Sequence, residues 1–478
     1  MQNERILPLA SIISFSNKPK LILSIKKHIM KKNFQIIDRR DFLKKTGLGA
    51  AALALSPALL AQAQANGKLR IAQIGVGAMG VEDLKAISSH PLVEVVALCD
   101  VDSTNLGKAA ADFPQAKTYA DYRVLLKELK NDIDAVVVST PDHTHAPASL
   151  MAMKMDKAVY CQKPLTHHVS EAREMKKVAE KKGLVTQMGI QVHSFYDYKL
   201  ATLLIQSGII GKVHTVRAWS PKNWGTDDPM PQGSDPIPAD LDWNLWLGTA
   251  PERPFKEGEY HPGNWRKVLD FGCGTLGDMG VHIFDTPYNA LALDVPRTIK
   301  NECRQPTGFG FPENNIVTYE FPATPYTAET LTWIWSDGPG APADHPDLAL
   351  PNGDKLPDQG AMFLGEKGRL LLPHFMQLPR LIVDGQYKEM DIAQFNLGEP
   401  VKDYAAESKK HYHEFVDACL GKTECSAPFS YSANLTETIL LGVIAGRFPN
   451  ETLHWDSKKA RFEEDKANEF LDGKYRKF

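Results

Sequence analysis

The sequence predicts an α/β protein built on a parallel sheet with helices on both faces, and three observations predict it. Apolar strand-like runs alternate with helical ones from Leu69 to Cys161, the pattern that crossover connections between parallel strands require. The first run stops at Gly75-Val76-Gly77-Ala78-Met79-Gly80, a G-x-G-x-x-G turn between a strand and a helix. A composition of 43% hydrophobic and 24% charged residues over 478 positions excludes a disordered chain, a collagen-like repeat or a disulfide-dense miniprotein.

The first segment is a leader. Up to Ala65 the chain carries 11 Lys and Arg against 3 Asp and Glu, a balance of +8, and beyond it 44 against 55, a balance of −11. A basic region is followed by Arg39-Arg40, an Ala- and Leu-rich run and Ala63-Gln64-Ala65, the small-x-small pattern of a signal-peptidase site. Asp38-Arg39-Arg40-Asp41-Phe42-Leu43-Lys44 resembles the twin-arginine signal, which implies export of a folded protein to the periplasm. An uncleaved leader acting as a membrane anchor is the alternative, although the apolar run is short for a bilayer. Residues 1–65 are therefore assigned to the leader, 66–190 to a nucleotide-binding domain and 191–478 to a substrate-binding and oligomerisation domain. The acidic body argues against nucleic acid as a partner.

Leu69 to Ile74 reads as the first strand and Val81 to Ser88 as the first helix. Gly75 permits the turn, Gly77 lets a pyrophosphate approach, and Gly80 lets the helix pack on the strand. Ala78 and Met79 complete the phosphate cradle at the helix N-terminus. The strand Val93 to Cys99 ends at Asp100, placed to accept hydrogen bonds from both ribose hydroxyls, which favours NAD over NADP. Further strands at Asp134 to Ser139 and Ala158 to Cys161, with helices at Tyr122 to Lys130 and Ala146 to Met155, complete the alternation. The carboxyl edge of the sheet then carries Thr140, Pro141, His143, His145, Gln162 and Lys163 to the cofactor. Gln191, where the second domain begins, is assigned to the same ligand.

Lys163 at a strand end is placed to donate to a substrate hydroxyl. Asp278, His282 and Asp285 stand at i, i+4 and i+7, one face of a helix, and a histidine flanked by acids suits proton transfer. A metal site and a purely structural hydrogen-bonding role are the rival readings of this triplet. Five of the eight tryptophans fall in 219–265, interleaved with prolines, which predicts an ordered loop region whose aromatic faces suit sugar rings. About two of the five are expected near a ligand, the others in the core. His193, Asn264, Trp265 and Arg266 join Asp278, His282 and Asp285 as candidate substrate ligands. Later strands are expected at Asn315 to Phe321, Leu331 to Trp335, Gly368 to Pro373 and Arg380 to Val383, with a surface insertion at Gly338 to Gln359 and helices at Tyr198 to Gln206, His411 to Leu420 and Leu435 to Ala445. Of six cysteines, Cys99 and Cys161 read as buried thiols, while Cys419 and Cys425 are near enough in sequence to close a small loop.

Four motifs in order, Gly75-x-Gly77-x-x-Gly80, Ser139 to His145, Gln162-Lys163-Pro164 and Gly277-Asp278-x-Gly280-x-His282-x-x-Asp285, resemble those of the Gfo/Idh/MocA oxidoreductases. The resemblance implies an N-terminal Rossmann domain and a C-terminal α+β domain with an open, largely antiparallel sheet that mediates a homodimer or homotetramer. It also implies that Lys163 and His282 are the catalytic pair with Asp278 beside them; no metal is expected, since no compact motif such as H-E-x-x-H accompanies the triplet. One departure is that the family's usual Glu-Lys-Pro is Gln162-Lys163-Pro164 here. The expected activity is NAD-dependent oxidation of a CH–OH group on a sugar, glycoside or polyol, with tightly retained cofactor. A redox-neutral NAD-dependent glycosidase and a non-catalytic sugar-binding protein are the alternatives. After removal of the leader no stable membrane insertion is expected.

Overall fold

A computed structural model describes residues 67–478; the leader, with Arg39-Arg40 and the Ala63-Gln64-Ala65 motif, lies outside the described residues. Six strands, β1 (Leu69–Ile74), β2 (Val93–Cys99), β3 (Lys117–Tyr119), β4 (Ala135–Val138), β5 (Ala158–Gln162) and β6 (Thr186–Gly189), form one sheet in the order β3-β2-β1-β4-β5-β6. Every neighbouring pair is parallel. β4 and β5 are buried at every position, as strands covered on both faces must be. The covering helices are α1 (Met79–Ser88), α2 (Ser103–Asp112), α3 (Tyr122–Glu128), α4 (Asp142–Lys154) and α5 (Val169–Lys182). Asp102 and Asp121 cap α2 and α3 through backbone N–H groups of the first turn, as short acids do at helix starts. The strand order changes direction between β1 and β4, the position where sheets of this kind open a crevice for ligands.

The helix expected at Ala146 to Met155 begins four residues earlier, at Asp142. Pro141 holds an extended conformation before it, and Asp142 lies in the first turn, where an acid is favoured by the helix dipole. Residues 142–145 therefore project from a helix rather than a loop.

The second part of the chain contains α6 (Tyr196–Gln206), β7 (Val213–Ser220), α7 (Trp243–Leu247), α8 (Val281–Ala290), β8 (Thr298–Glu302), β9 (Asn315–Pro322), β10 (Thr327–Asp337), β11 (Gly360–Gly365), β12 (Gly368–Pro373), β13 (Arg380–Val383), β14 (Gln386–Lys388), α9 (Tyr404–Cys419), α10 (Phe429–Ala445), β15 (Thr452–Asp456) and β16 (Arg461–Phe462). Its sheet has ten strands in the order β14-β13-β12-β11-β7-β10-β9-β8-β15-β16, antiparallel except where β7 meets β10. Burial alternates along β9: Val317, Tyr319 and Phe321 face the core while Ile316 and Glu320 are exposed. One face is thus covered by helices, and Phe284 of α8 stacks on Trp333 at 4.2 Å between ring centres.

Helix α9 follows the second sheet in sequence but packs on the first. Its Tyr412, Phe415, Val416 and Cys419 share a buried cluster with Leu69, Ile71 and Tyr160. The tryptophan-rich stretch is not all loop: Trp219 lies in β7, and Trp243 and Trp246 lie in α7, which Asp242 caps by accepting from the Leu245 N–H. All six cysteines are free thiols, so Cys419 and Cys425 are not bridged. Among the described residues no helix is long and apolar enough to cross a membrane.

Candidate active site

A cavity of about 380 Å³ opens beyond the carboxyl ends of β1, β2, β4 and β5. On one side it is lined by Gly75, Gly77, Ala78, Met79, Asp100, Thr140, Pro141, His145, Gln162 and Lys163; the opposite side includes Trp246, Trp265, Arg266, Asp278 and His282. Gln191 also reaches it.

The glycine turn leaves no room for side chains. Gly75 has φ +86°, and a Cβ there would lie 2.4 Å from the Ser139 carbonyl oxygen; one on Gly80 would lie 2.3 Å from the carbonyl oxygen of Gly75. Ala78, at φ 42°, holds a left-handed conformation immediately before α1. α1 therefore begins at the cavity wall, where the positive end of the helix favours an anion, while its Gly80 and Val81 N–H groups close the first turn on the carbonyls of Gly77 and Ala78. Asp100 accepts from the Val76 N–H through Oδ2 at 2.8 Å and from the Asp102 N–H through Oδ1 at 2.9 Å. Each oxygen keeps a further lone pair, so this rim fits a ribose diol, and the cradle fits a dinucleotide.

The reacting end is organised around Asp278. The Lys163 ammonium donates to Asp278 Oδ1 at 2.8 Å and to its carbonyl oxygen at 3.0 Å. Trp224 Nε1 donates to Asp278 Oδ2 at 2.8 Å, and Arg266 Nε lies 3.4 Å from Oδ1. Burial alone would raise this carboxyl, but Lys163 and Arg266 outweigh it and hold Asp278 well below the usual range. His282 is half-buried, with its Nδ1 buried and unpartnered. Burial, reinforced by Lys163 and His374, holds its ring well below the ordinary histidine value; the imidazole is neutral and has a nitrogen available for a proton.

Asp278 does not lie on one regular helix with His282 and Asp285. Residues Leu276–Gly280 form a π turn that runs into α8, and the wider turn rotates the later residues away from the face that Asp278 occupies. Asp285 points instead to His193, with 2.9 Å from either oxygen to Nδ1, and to the Tyr431 hydroxyl at 2.8 Å. Burial depresses the His193 ring, yet Asp285 more than compensates and raises it. Neither His193 nor Asp285 lines the cavity, and a metal centre on the three expected residues is ruled out by this divergence. Asn264 also lies off the cavity, donating to the Gly258 carbonyl at 2.6 Å. His143, expected on the cofactor, is turned behind the wall between the carbonyls of Trp246 (3.1 Å) and Phe271 (3.3 Å), because its place in the first turn of α4 directs it into the protein. His145 remains at the rim, its ring nitrogens each 2.8 Å from the carbonyls of Thr140 and Pro164.

Two of the five clustered tryptophans, Trp246 and Trp265, line the cavity, and Trp224 reaches it through Asp278. The Arg266 guanidinium lies 4.3 Å from the Trp265 ring centre. The sequence reading missed Asp142, Lys222, His261 and Tyr404, which also line the cavity. Asp142 had one local signal, its place in the loop after β4; the other three come from distant loops and α9. Burial pushes the Asp142 carboxyl up to about 7, outweighing Arg266 and Lys163.

Residues 69–190 match a family model described as an oxidoreductase family, NAD-binding Rossmann fold, and residues 204–307 match one described as an oxidoreductase family, C-terminal alpha/beta domain. A glycosyl hydrolase family 109 protein of Shewanella pealeana is 28% identical over 202 residues, covering 37% of this chain and 44% of its own length. An inositol 2-dehydrogenase of Salmonella paratyphi B is 27% identical over 147 residues, covering 30% and 43%. The chain thus spans less than half the length of these curated relatives. Among solved structures, myo-inositol dehydrogenase from Lactobacillus casei in complex with NAD(H) and myo-inositol shares the fold, with a TM-score of 0.53 at 18% identity over 81% of this chain and 97% of that one.

Proposed function

We propose, on the match of residues 69–190 and 204–307 to the two domains of the Gfo/Idh/MocA oxidoreductases, that the chain is an NAD-dependent dehydrogenase acting on a CH–OH group of a sugar, glycoside or polyol. The observation that carries this reading is that the Lys163 ammonium, held by Asp278, and a neutral His282 line the same cavity as the glycine turn.

Bound NAD supplies the hydride acceptor. Two of the three Lys163 ammonium protons are engaged by Asp278, which leaves one to polarise the substrate oxygen. The neutral His282 ring, which lines the cavity, takes the hydroxyl proton. Asp278, anchored in turn by Trp224 and Arg266, orients the lysine. Trp246 and Trp265 offer apolar faces to the C–H surface of a ring, with Arg266 and Lys222 at the polar edge. To test the proposal, the full chain is purified, released nucleotide is identified by mass spectrometry, and NADH formation is followed over a panel of sugars, glycosides and polyols. NAD bound or taken up, with turnover that His282→Ala abolishes, is expected; turnover unaffected by His282→Ala overturns the assignment.

The relatives of glycosyl hydrolase family 109 favour one second reading, a redox-neutral glycosidase that oxidises, eliminates and re-reduces on the same residues. Release of the aryl group from aryl glycosides without net NADH formation would select it. Export by the twin-arginine route to the periplasm is part of the proposal, supported by Arg39-Arg40 and Ala63-Gln64-Ala65. N-terminal sequencing of protein from the native host tests it. Association into a dimer or tetramer through the ten-stranded sheet is likewise proposed, and light scattering reads it directly.

A further inference from the structure

The residue before the reactive lysine is an amide where the family resemblance expects an acid, and the structure shows an acid held against that amide. Asp83, on α1 and fully buried, accepts from Gln162 Nε2 with both oxygens, at 2.9 and 3.0 Å. It also accepts from the Tyr412 hydroxyl at 2.6 Å and from the Ser139 hydroxyl at 2.6 Å. Gln162 Oε1 in turn accepts from the backbone N–H of Lys163 at 3.1 Å. The amide lies against Gly189, where a Cβ would come within 2.8 Å of Gln162 Cδ.

The connections run further in both directions. Tyr412 accepts from Gln191 Nε2 at 2.7 Å, at the cavity. Ser139 accepts from Gln73 Nε2 at 3.0 Å, and the same Nε2 reaches the Gly75 carbonyl at 3.1 Å. One buried chain of hydrogen bonds therefore joins the glycine turn, the lysine backbone and a helix from the far end of the sequence.

Resting on the NAD-binding reading of the cavity, we infer that Asp83 is a positioning residue: its carboxylate replaces the acid absent from position 162 and, through the Gln162 amide, fixes the Lys163 backbone relative to the glycine turn. Acid and amide each require the other. Among the described residues the amide supplies the only side-chain N–H on the carboxylate, and the carboxylate decides which end of the amide faces Lys163. Restoring an acid at 162 alone would put two carboxylates within about 3 Å in a buried site, where both cannot stay ionised.

The test is a double-mutant cycle on the full chain with Gln162→Glu, Asp83→Asn and the two combined, read as NADH affinity by fluorescence and as Tm. Gln162→Glu, a change toward the family's usual residue, is expected to weaken NADH binding about tenfold or more. Asp83→Asn alone weakens it too, and the combined variant recovers to within about threefold of the original chain, because the asparagine amide then donates to the glutamate. If Gln162→Glu does not yield soluble protein, the solubility of the combined variant decides in the same way. NADH binding unchanged by Gln162→Glu, or losses that simply multiply in the combined variant, would overturn the inference. Should the original chain bind NADH and oxidise no carbohydrate, the proposed activity fails while the cycle, which needs no substrate, still stands or falls by itself.

Discussion

Replacing Asp100 by alanine probes the nucleotide preference without knowledge of the substrate. Its two oxygens each accept one backbone N–H, from Val76 and from Asp102, and each keeps one acceptor direction for a ribose hydroxyl. A hydrogen bond to a charged group contributes about 1.5–3 kcal/mol, so losing two, with water replacing part, costs about 3 kcal/mol, or roughly 150-fold in NADH Kd. The opposite effect holds for NADPH. A phosphate charge about 4 Å from a carboxylate is disfavoured by about 4 kcal/mol at an effective dielectric constant near 20. Removing the carboxylate lifts that penalty, so the NADH to NADPH affinity ratio falls by about a thousandfold or more. Titration of protein fluorescence with each nucleotide reads both numbers, since Trp246 and Trp265 line the cavity. Alanine also leaves the Val76 and Asp102 N–H groups without an acceptor, so Asp100→Asn, which keeps one oxygen, serves as the control and should lie between. An NADH Kd altered less than about threefold by Asp100→Ala, with NADPH still excluded, would refute the ribose assignment.

Three further outcomes follow from the same geometry. Gly80→Ala places a methyl group 2.3 Å from the Gly75 carbonyl oxygen, so it should cost about 1–3 kcal/mol or more of stability and weaken nucleotide binding; an unchanged melt contradicts it. Asp142 is protonated more readily in the folded protein, since burial pushes it up to about 7. A raised carboxyl contributes full stability below its ordinary range and loses it as pH rises toward 7. The stability of Asp142→Asn relative to the parent should therefore grow by about 1.4 kcal/mol per pH unit between about pH 5 and 7, then level off. Urea melts across that window check it, and a constant offset would refute it. Lys163→Met should lower turnover by about a hundredfold or more while leaving NADH affinity within about threefold; equal losses in both would make Lys163 a cofactor ligand alone.

Much of the nucleotide half of the site is legible because its signals are local. The glycine turn, the strand end at Asp100 and the rim at Thr140 and Gln162 follow from runs of a few residues whose periodicity alone places them at one sheet edge. The substrate half is legible only in part. Asp278 and His282 both reach the cavity, so their spacing was informative, but Asp285, three residues further along α8, turns away from it to His193 and Tyr431. The helix start at Asp142 similarly redirected His143. Polar side chains are claimed by whichever partner the fold brings nearest, and His193 and Tyr431 claimed Asp285.

By itself the sequence determined the α/β alternation, the dinucleotide cradle and the candidates Lys163 and His282 that both line the cavity, since backbone conformation and strand order respond to neighbours along the chain. Only the tertiary structure decided which acid serves which group. Asp83 meets Gln162 79 positions away and Tyr412 329 positions away, and α9 crosses to the first domain to complete that network. No periodicity encodes such a meeting, because a buried carboxylate is stabilised by the donors that packing delivers to it, whatever their distance in sequence.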